Sequence, residues 1–198
     1  MNERELINLS RDGDADAFCR LYSLYKTRLY RYAFYRLGNE TDAEDAVSDC
    51  VLSAWKQIGQ VREPDAFAGW LFRILSGCCA RLIQQQIRRR ELAGAAVRSG
   101  KVAVTAASGE AAMTVPSGGS IAAAQPAAAV PATTTDTDTW LILQEALDQL
   151  SERDRDIVLL SAVGGLTSEE IGEMHGLSSG SVRSILSRSL KKVRGYFV

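Results

Sequence analysis

The feature that most restricts how this chain can fold is a central stretch with few large apolar side chains. From Gly94 to Asp136 the sequence contains three prolines and consists mostly of alanine, glycine, serine and threonine. Such a segment cannot bury enough apolar surface to offset the conformational entropy lost on ordering. The sequence therefore predicts a flexible linker over 94–137, with a root-mean-square span of about 35 Å. Two folded units, 1–93 and 138–198, remain on either side.

The N-terminal unit has the signals of three helices. Asp14 is positioned to cap the first helix, which Gly38 ends. Thr41 and Glu44 have the spacing of a capping box that opens the second helix, and Pro64 suits the first turn of the third. Each predicted helix carries apolar residues at helical spacing along one face, so the three should pack as a bundle.

The outward faces of the second and third helices carry opposite charges. Opposite the apolar face of the second helix lie Asp42, Asp45 and Asp49. The outer side of the third helix is a row of arginines, namely Arg73, Arg81, Arg88 and Arg89. This polarity is the most informative feature of the N-terminal half.

The C-terminal unit has the pattern of a helix-turn-helix. Ser151 caps a helix that continues to Val163, and the capping box Thr167–Glu170 opens a short helix. A turn containing glycine follows, and Ser178 or Ser179 caps the last helix. The sequence thus predicts an all-α protein of two small helical domains, an N-terminal bundle and a C-terminal helix-turn-helix, joined by the long linker.

The last helix separates apolar from polar residues. Its predicted core positions are Val182, Leu186, Leu190 and Val193. Its outer face carries Arg183, Ser184, Ser187, Arg188 and Lys191. Arginine and serine on an exposed helix can donate to base edges and phosphates in the major groove. A helical hairpin with a basic flank is the alternative, but the capping boxes and the glycine in the turn favour a helix-turn-helix.

The cysteines predict neither zinc nor disulfides. Cys19, Cys50, Cys78 and Cys79 form no C-x-x-C pair, and the one histidine, His175, is far away in sequence. Cys19, Cys50 and Cys78 fall among apolar residues at helical spacing, so we expect buried thiols in a reducing compartment. The N-terminus opens on charged residues rather than a signal peptide, and the central stretch lacks the Leu, Ile and Phe of a membrane span. We therefore expect a cytoplasmic protein.

These motifs together resemble the bacterial sigma-70 family. Residues 43–49 (AEDAVSD) and 69–74 (GWLFRI) are similar to the second and third conserved helices of sigma factors. Residues 166–171 (LTSEEI) through 181–184 (SVRS) are similar to their promoter-reading helix-turn-helix. The likeness covers nearly all of both predicted units in the family's order, without a domain between them. The closest class is therefore the extracytoplasmic-function (ECF) group.

The resemblance implies roles for the charged faces. The N-terminal unit would be region 2, which binds core RNA polymerase and recognises and melts the promoter −10 element. Its polymerase-binding residues would be Asp42, Glu44, Asp45 and Asp49. Its DNA-binding residues would be Arg62, Arg73, Arg81, Arg88 and Arg89. The C-terminal unit would be region 4, which reads the −35 element through Arg183, Ser184, Ser187, Arg188 and Lys191.

The resemblance also implies partners. These are core RNA polymerase, contacted through the clamp helices of its largest subunit and its flap region, promoter DNA, and an anti-sigma factor, with no cofactor and no membrane insertion. Three positions depart from the family pattern. Gly77 and Arg81 stand where Asn and Asp are usual, and Ile185 stands where a basic residue is common. These changes indicate an unusual promoter preference or a diverged member.

Two other classes of function account for the sequence less well. A helix-turn-helix regulator that binds an operator without polymerase accounts for the C-terminal half but leaves the acidic helix and the arginine helix unexplained. An enzyme is disfavoured, because the sequence has no Gly-rich phosphate loop, metal-ligand cluster or nucleophile elbow.

Overall fold

The computed structural model describes the backbone of residues 1–98 and 134–196 and the side chains of residues 1–93 and 141–196. Within these ranges the chain forms helices and turns and no strand, which confirms the predicted all-α fold. The helices are α1 (Glu3–Arg11), α2 (Ala15–Leu37), α3 (Glu40–Gln57), α4 (Phe67–Arg98), α5 (Thr134–Asp148), α6 (Glu152–Ala162), α7 (Ser168–His175) and α8 (Ser179–Arg194). Most of the predicted linker lies outside the described residues.

The N-terminal helices begin and end at residues whose side chains suit those positions. The Asp14 carboxylate caps α2 by accepting from the Ala17 amide at 3.0 Å, and Gly38 ends α2 in a left-handed conformation (φ 77°). The capping box expected at Thr41 is wrong. Helix α3 begins at Glu40, because the Asn39 side chain already accepts from the Asp42 amide at 2.8 Å.

Helix α1 was not predicted from the sequence. It is held by a capping box in which the Asn2 side chain accepts from the Glu5 amide and the Glu5 carboxylate accepts from the Asn2 amide. Its apolar side buries Leu6 and Ile7 in the bundle. Because α1 also contacts the turns between α3 and α4, it supports the loop that enters α4.

Helix α4 is the central helix of the bundle. By length and composition Pro64–Ala93 could cross a membrane, but core helices of soluble proteins pass the same test. Here the α4 side chains of Phe67, Leu71, Phe72 and Leu75 are buried. The neighbouring helices α2 and α3 cover them, so α4 serves as a core element.

The cysteines differ from expectation at one position. Cys50 and Cys78 are buried as predicted, but Cys19 is exposed, so its prediction is wrong. The buried face of α2 is set by Phe18 and Leu21, and Cys19 points away from it. Cys79 is buried instead, because α4 is covered on more than one side.

The C-terminal helices form the predicted helix-turn-helix. Ser151 caps α6, and the Thr167 hydroxyl and Glu170 carboxylate form the capping box of α7. Helix α7 ends at Gly176 in a left-handed conformation (φ 65°), and Ser178 caps α8. The two successive capped helices place α8 against α6 and α7.

The two halves of the chain are in contact. Helix α6 packs against α2, and α7 packs against α4, so the buried apolar residues form one continuous core. Leu160 and Ile171 are fully buried members of this core from the C-terminal half. Arg28 of α2 adds a polar contact, donating from Nε to the Val163 carbonyl at 3.4 Å.

Candidate nucleic-acid and protein interfaces

The outer face of α8 is polar and exposed, as the sequence predicts. Near its N-terminal end the Arg183 guanidinium donates to the Ser179 hydroxyl at 3.1 Å and to the Ser179 carbonyl at 3.4 Å. Further along the helix Arg188 donates from Nε to the Ser184 carbonyl at 3.3 Å. Both guanidiniums therefore lie along the helix surface, with further N–H groups available to a ligand. Ser187 and Lys191 are exposed on the same helix.

The inner face of α8 differs from the predicted one at Leu190. Val182 is fully buried and Leu186 and Val193 are partly buried, but Leu190 is 42% exposed. Successive steps of four residues rotate around a helix of 3.6 residues per turn, so the inner face passes instead through Ser189. Ile185 also packs against the core, which explains how an apolar residue is accommodated there.

The acidic face of α3 is partly engaged by neighbouring side chains. Asp42 is half-buried and accepts from Gln86 of α4 and from Asn39 at 2.6 Å. Asp49 forms an exposed ion pair with Arg81 of α4 at 3.8 Å. Glu44 and Asp45 are exposed and have no ion pair within the described residues. The acidic face and the arginine row are therefore neighbours on adjacent helices.

The arginine row extends along the exposed side of α4. Arg81 is turned toward the Cys78 sulfur at 3.1 Å, and this contact raises the pKa of the guanidinium. Arg73 and Arg88 are separated by about 22 Å along the axis, at 1.5 Å per residue. Arg88 and the adjacent Arg89 are exposed near the C-terminal end of α4. A row of this length can follow several phosphates of a nucleic-acid backbone.

Arg62 and Arg73 meet at one cleft. Its volume is about 320 Å³, and it lies between the loop that enters α4 and the first turns of that helix. Trp70 supplies an aromatic wall on the side of the cleft that the N-terminal half forms. A cleft that combines guanidiniums with an aromatic ring suits an unstacked base and its phosphate.

One contact that shapes this loop was not predicted. Arg4 of α1 donates to both carboxylate oxygens of Asp65, at 2.9 and 2.7 Å. Because both side chains are exposed, this ion pair contributes little to the stability of the fold. The contact joins α1 to the loop that carries Arg62. The residues are 61 apart in sequence, so no local pattern indicates the pair.

The opposite wall of the cleft comes from the C-terminal half. Glu170, Glu173 and Met174 of α7 line it. Helices α4 and α7 approach each other closely here, because a Cβ atom at Gly69 would lie 3.6 Å from the Glu170 carboxylate. The cleft therefore has Arg62, Arg73 and one carboxylate, that of Glu63, on the N-terminal side, and the α7 carboxylates on the other.

Comparisons with known proteins match both halves. The family described as Sigma-70 region 2 matches residues 21–90, and the family described as Sigma-70, region 4 matches residues 140–193. Three ECF or related relatives illustrate the likeness. BldN of Streptomyces coelicolor, an ECF RNA polymerase sigma factor, is 41% identical over 71 residues, which are 35% of this chain and 27% of BldN.

SigE of Mycolicibacterium smegmatis, also an ECF RNA polymerase sigma factor, is 31% identical over 85% of this chain and 57% of SigE. The chain thus spans about a quarter and just over half of these two relatives. The RNA polymerase sigma factor CarQ of Myxococcus xanthus is 28% identical over 93% of this chain and 91% of CarQ.

Solved structures share the fold. CnrH in complex with the cytosolic domain of CnrY matches 98% of this chain and 96% of its own, with a TM-score of 0.66 and 19% identity. RpoE in complex with the anti-sigma factor NepR from Bartonella quintana matches 91% of this chain and 96% of its own, with a TM-score of 0.58 and 20% identity. The two family matches fall on the two helical regions in order.

Proposed function

Since this chain belongs to the sigma-70 family of sigma factors and to its ECF group, we propose that it binds core RNA polymerase and directs promoter-specific initiation of transcription. The observation that carries the proposal is the ordered pair of a region 2 bundle and a region 4 helix-turn-helix in one chain. The protein would act in the cytoplasm as a dissociable specificity subunit without catalytic residues of its own.

We assign region 2 to residues 1–93 and region 4 to residues 138–198, with 94–137 as the connection between them. The connection is long enough to let the two regions contact separate parts of the polymerase and promoter. Region 2 would bind the clamp helices of the largest subunit, and region 4 would lie near the flap. The relatives in two solved complexes are bound to CnrY and to the anti-sigma factor NepR, which supports an anti-sigma partner here as well.

The exposed face of α8 would read the −35 element. Arg183 lies near the N-terminal end of the helix, where side chains of a helix-turn-helix approach base edges. Arg188 and Lys191 lie further along and would contact phosphates. Ser184 and Ser187 would supply the remaining polar contacts on this face.

The arginines of region 2 would bind the −10 element. Arg62 and Arg73, at the cleft beside Trp70, would hold an unstacked base and its phosphate. The arginines further along α4 would follow the phosphate backbone of the DNA. These are Arg81, Arg88 and Arg89.

The acidic face of α3 would form the contact with polymerase. Asp42, Glu44, Asp45 and Asp49 are its members, and Glu44 and Asp45 have the most accessible carboxylates. A helix-turn-helix regulator that acts without polymerase is not favoured, because it has no use for a region 2 bundle.

The proposed function is tested by adding the purified chain to core polymerase and sequencing run-off transcripts from a promoter library. The wild type should direct transcription from a defined set of promoters. Arg183→Ala should lose about 1–3 kcal/mol on the preferred −35 element and relax its sequence preference. Arg188→Ala, the matched control, should weaken all sequences about equally. Operator binding without any association with core polymerase would favour the regulator instead.

A further inference from the structure

The loop that enters α4 is held at two points. At its start Val61 is only 5% exposed, and its amide donates to the Ile58 carbonyl at 3.1 Å. Near its end the Asp65 carboxylate accepts hydrogen bonds from Arg4 on both of its oxygens. Arg62, which lines the cleft, lies between these two points in the chain. The loop that carries Arg62 is therefore held by one buried apolar side chain and one ion pair.

Helix α1 is a fixed support for the second of these points. Its Leu6 and Ile7 side chains are buried in the bundle. The Tyr25 hydroxyl of α2 donates to the carboxylate of Glu3, the residue next to Arg4. The bundle thus holds α1 on both sides of Arg4 in sequence, so the backbone at Arg4 has a defined position relative to α2.

The ion pair spans a gap between α1 and the loop. A second cleft, of about 580 Å³, lies there, and its apolar lining comes from Ile7, Pro64 and Ala68. Arg4 and Asp65 line the same cleft. Packing between α1 and the loop is therefore incomplete at this point, and the ion pair supplies a contact that side-chain packing does not. An exposed ion pair shifts a local equilibrium by up to about fivefold.

Arg4 also balances the charge of the loop. The loop contains one arginine, Arg62, and two carboxylates, those of Glu63 and Asp65. Glu63 lines the cleft together with Arg62. The hydrogen bond to Asp65 and the charge of Asp65 raise the pKa of the Arg4 guanidinium, and the charge of Glu63 adds to this. Without Arg4 the loop would present a net negative charge to the phosphates of DNA.

We propose that Arg4, through its ion pair with Asp65, is a positioning residue for recognition of the −10 element. The pair holds the loop so that Arg62 stays beside Trp70 in the cleft. This inference rests on the proposed function and gives α1 a part in promoter specificity. The match to Sigma-70 region 2 begins at residue 21, so Arg4 lies outside the matched residues whereas Asp65 lies within them.

The test uses a double-mutant cycle on the full chain. Arg4→Ala and Asp65→Ala each remove the ion pair, and the double variant removes both partners. Arg11→Ala is the matched control, because it removes an exposed arginine from the other end of α1. Urea denaturation and titration with core polymerase should give wild-type values for all four variants, since both partners are exposed and lie away from the acidic face of α3.

The first measurement is hydrogen exchange of the loop in the free protein. The amides of Val61 and Ala66 report on the loop, because each donates at 3.1 Å to a carbonyl three residues earlier. Their protection from exchange should fall by up to about fivefold in Arg4→Ala and in Asp65→Ala. Arg11→Ala should have the protection of wild type.

The second measurement is base preference in polymerase holoenzyme. Run-off transcripts are sequenced from a promoter library that carries all four bases at each position of the −10 element. The preference for the best base should fall by up to about fivefold in each single variant. The double variant should resemble the single ones, because each single change already removes the whole interaction. Preference within the −35 element should not change, which separates positioning of the loop from a general loss of activity.

The outcomes separate this inference from the proposed function. Unchanged protection of the loop in both single variants would show that the ion pair does not hold it. Wild-type base preference within the −10 element, or additive effects in the double variant, would overturn the positioning role. If wild type itself directs no promoter-specific transcription, the proposed function fails and the role in recognition fails with it. In that case the exchange data still show whether the pair holds the loop.

Discussion

The turn of the helix-turn-helix depends on a glycine that has no room for a side chain. Gly172 lies inside α7, and a Cβ atom there would be 2.6 Å from the Leu177 carbonyl oxygen. The contact is with backbone, so no side-chain rotation relieves it. The Gly172 carbonyl also accepts from the Leu177 amide at 2.8 Å, which fixes the chain at this point. Gly172→Ala must therefore move the turn that orients α8.

The size of the effect follows from three contributions. Overpacking of a tight interior costs about 1–3 kcal/mol. Loss of the hydrogen bond to the Leu177 amide costs about 1 kcal/mol more. Alanine is favoured over glycine in a helix by about 1 kcal/mol. We expect Gly172→Ala to lower the free energy of unfolding by about 1–3 kcal/mol.

Gly77→Ala is the matched control, because Gly77 is exposed in α4 and a Cβ atom there has nothing within 4 Å. That change should raise the free energy of unfolding by about 0.5–1 kcal/mol. Urea denaturation of the two variants and wild type measures the difference in the free energy of unfolding. In thermal denaturation the melting temperature should change by about 2–4 °C per kcal/mol. A Gly172→Ala protein as stable as Gly77→Ala would refute the argument from backbone contact.

Two further predictions concern function and the thiols. Asp45→Lys combined with Asp49→Lys should weaken binding to core polymerase. The effect should be larger at low ionic strength than at high, because salt screens exposed charges. Unchanged affinity in the folded double variant would contradict the assignment of the acidic face. Cys19 is exposed whereas Cys79 is buried, and burial raises the pKa of Cys79 to about 12, so iodoacetamide should modify Cys19 first in the native protein. Mass spectrometry checks this, and equal modification of Cys79 under native conditions would show that α4 is not covered as described.

Local signals predicted most of the helices but not their partners. Asp14, Gly38 and Thr167 act through groups within four residues of themselves, so the sequence alone indicates their roles. The spacing of four from Val182 and Leu186 predicts that Leu190 faces the core, but this spacing drifts around the helix and Leu190 is exposed. Asn39 and Thr41 both begin regular capping patterns, so the sequence does not show that Asn39 is the residue that caps α3.

The contacts between the halves could not be predicted from the sequence. Asp156 lies in the first turns of α6 among other charged residues, where a surface aspartate is ordinary. Its partners Tyr32 and Ser76 lie 124 and 80 residues away and belong to apolar helical faces that predict only core packing. The acidic face and the arginine row can be predicted, because charge on one helix face is a local pattern.

The long separation between Tyr32 and Asp156 has a consequence for how the chain can vary. The entropy of closing a loop grows only with the logarithm of its length, and a doubling adds about 0.6 kcal/mol. Insertions or deletions between the halves therefore change the free energy of the contact between them little. A single substitution at Asp156 changes it far more, since a buried charge loses its partner. The length of the intervening chain is thus free to drift in evolution, whereas the hydrogen-bonded partners Tyr32, Ser76 and Asp156 are not.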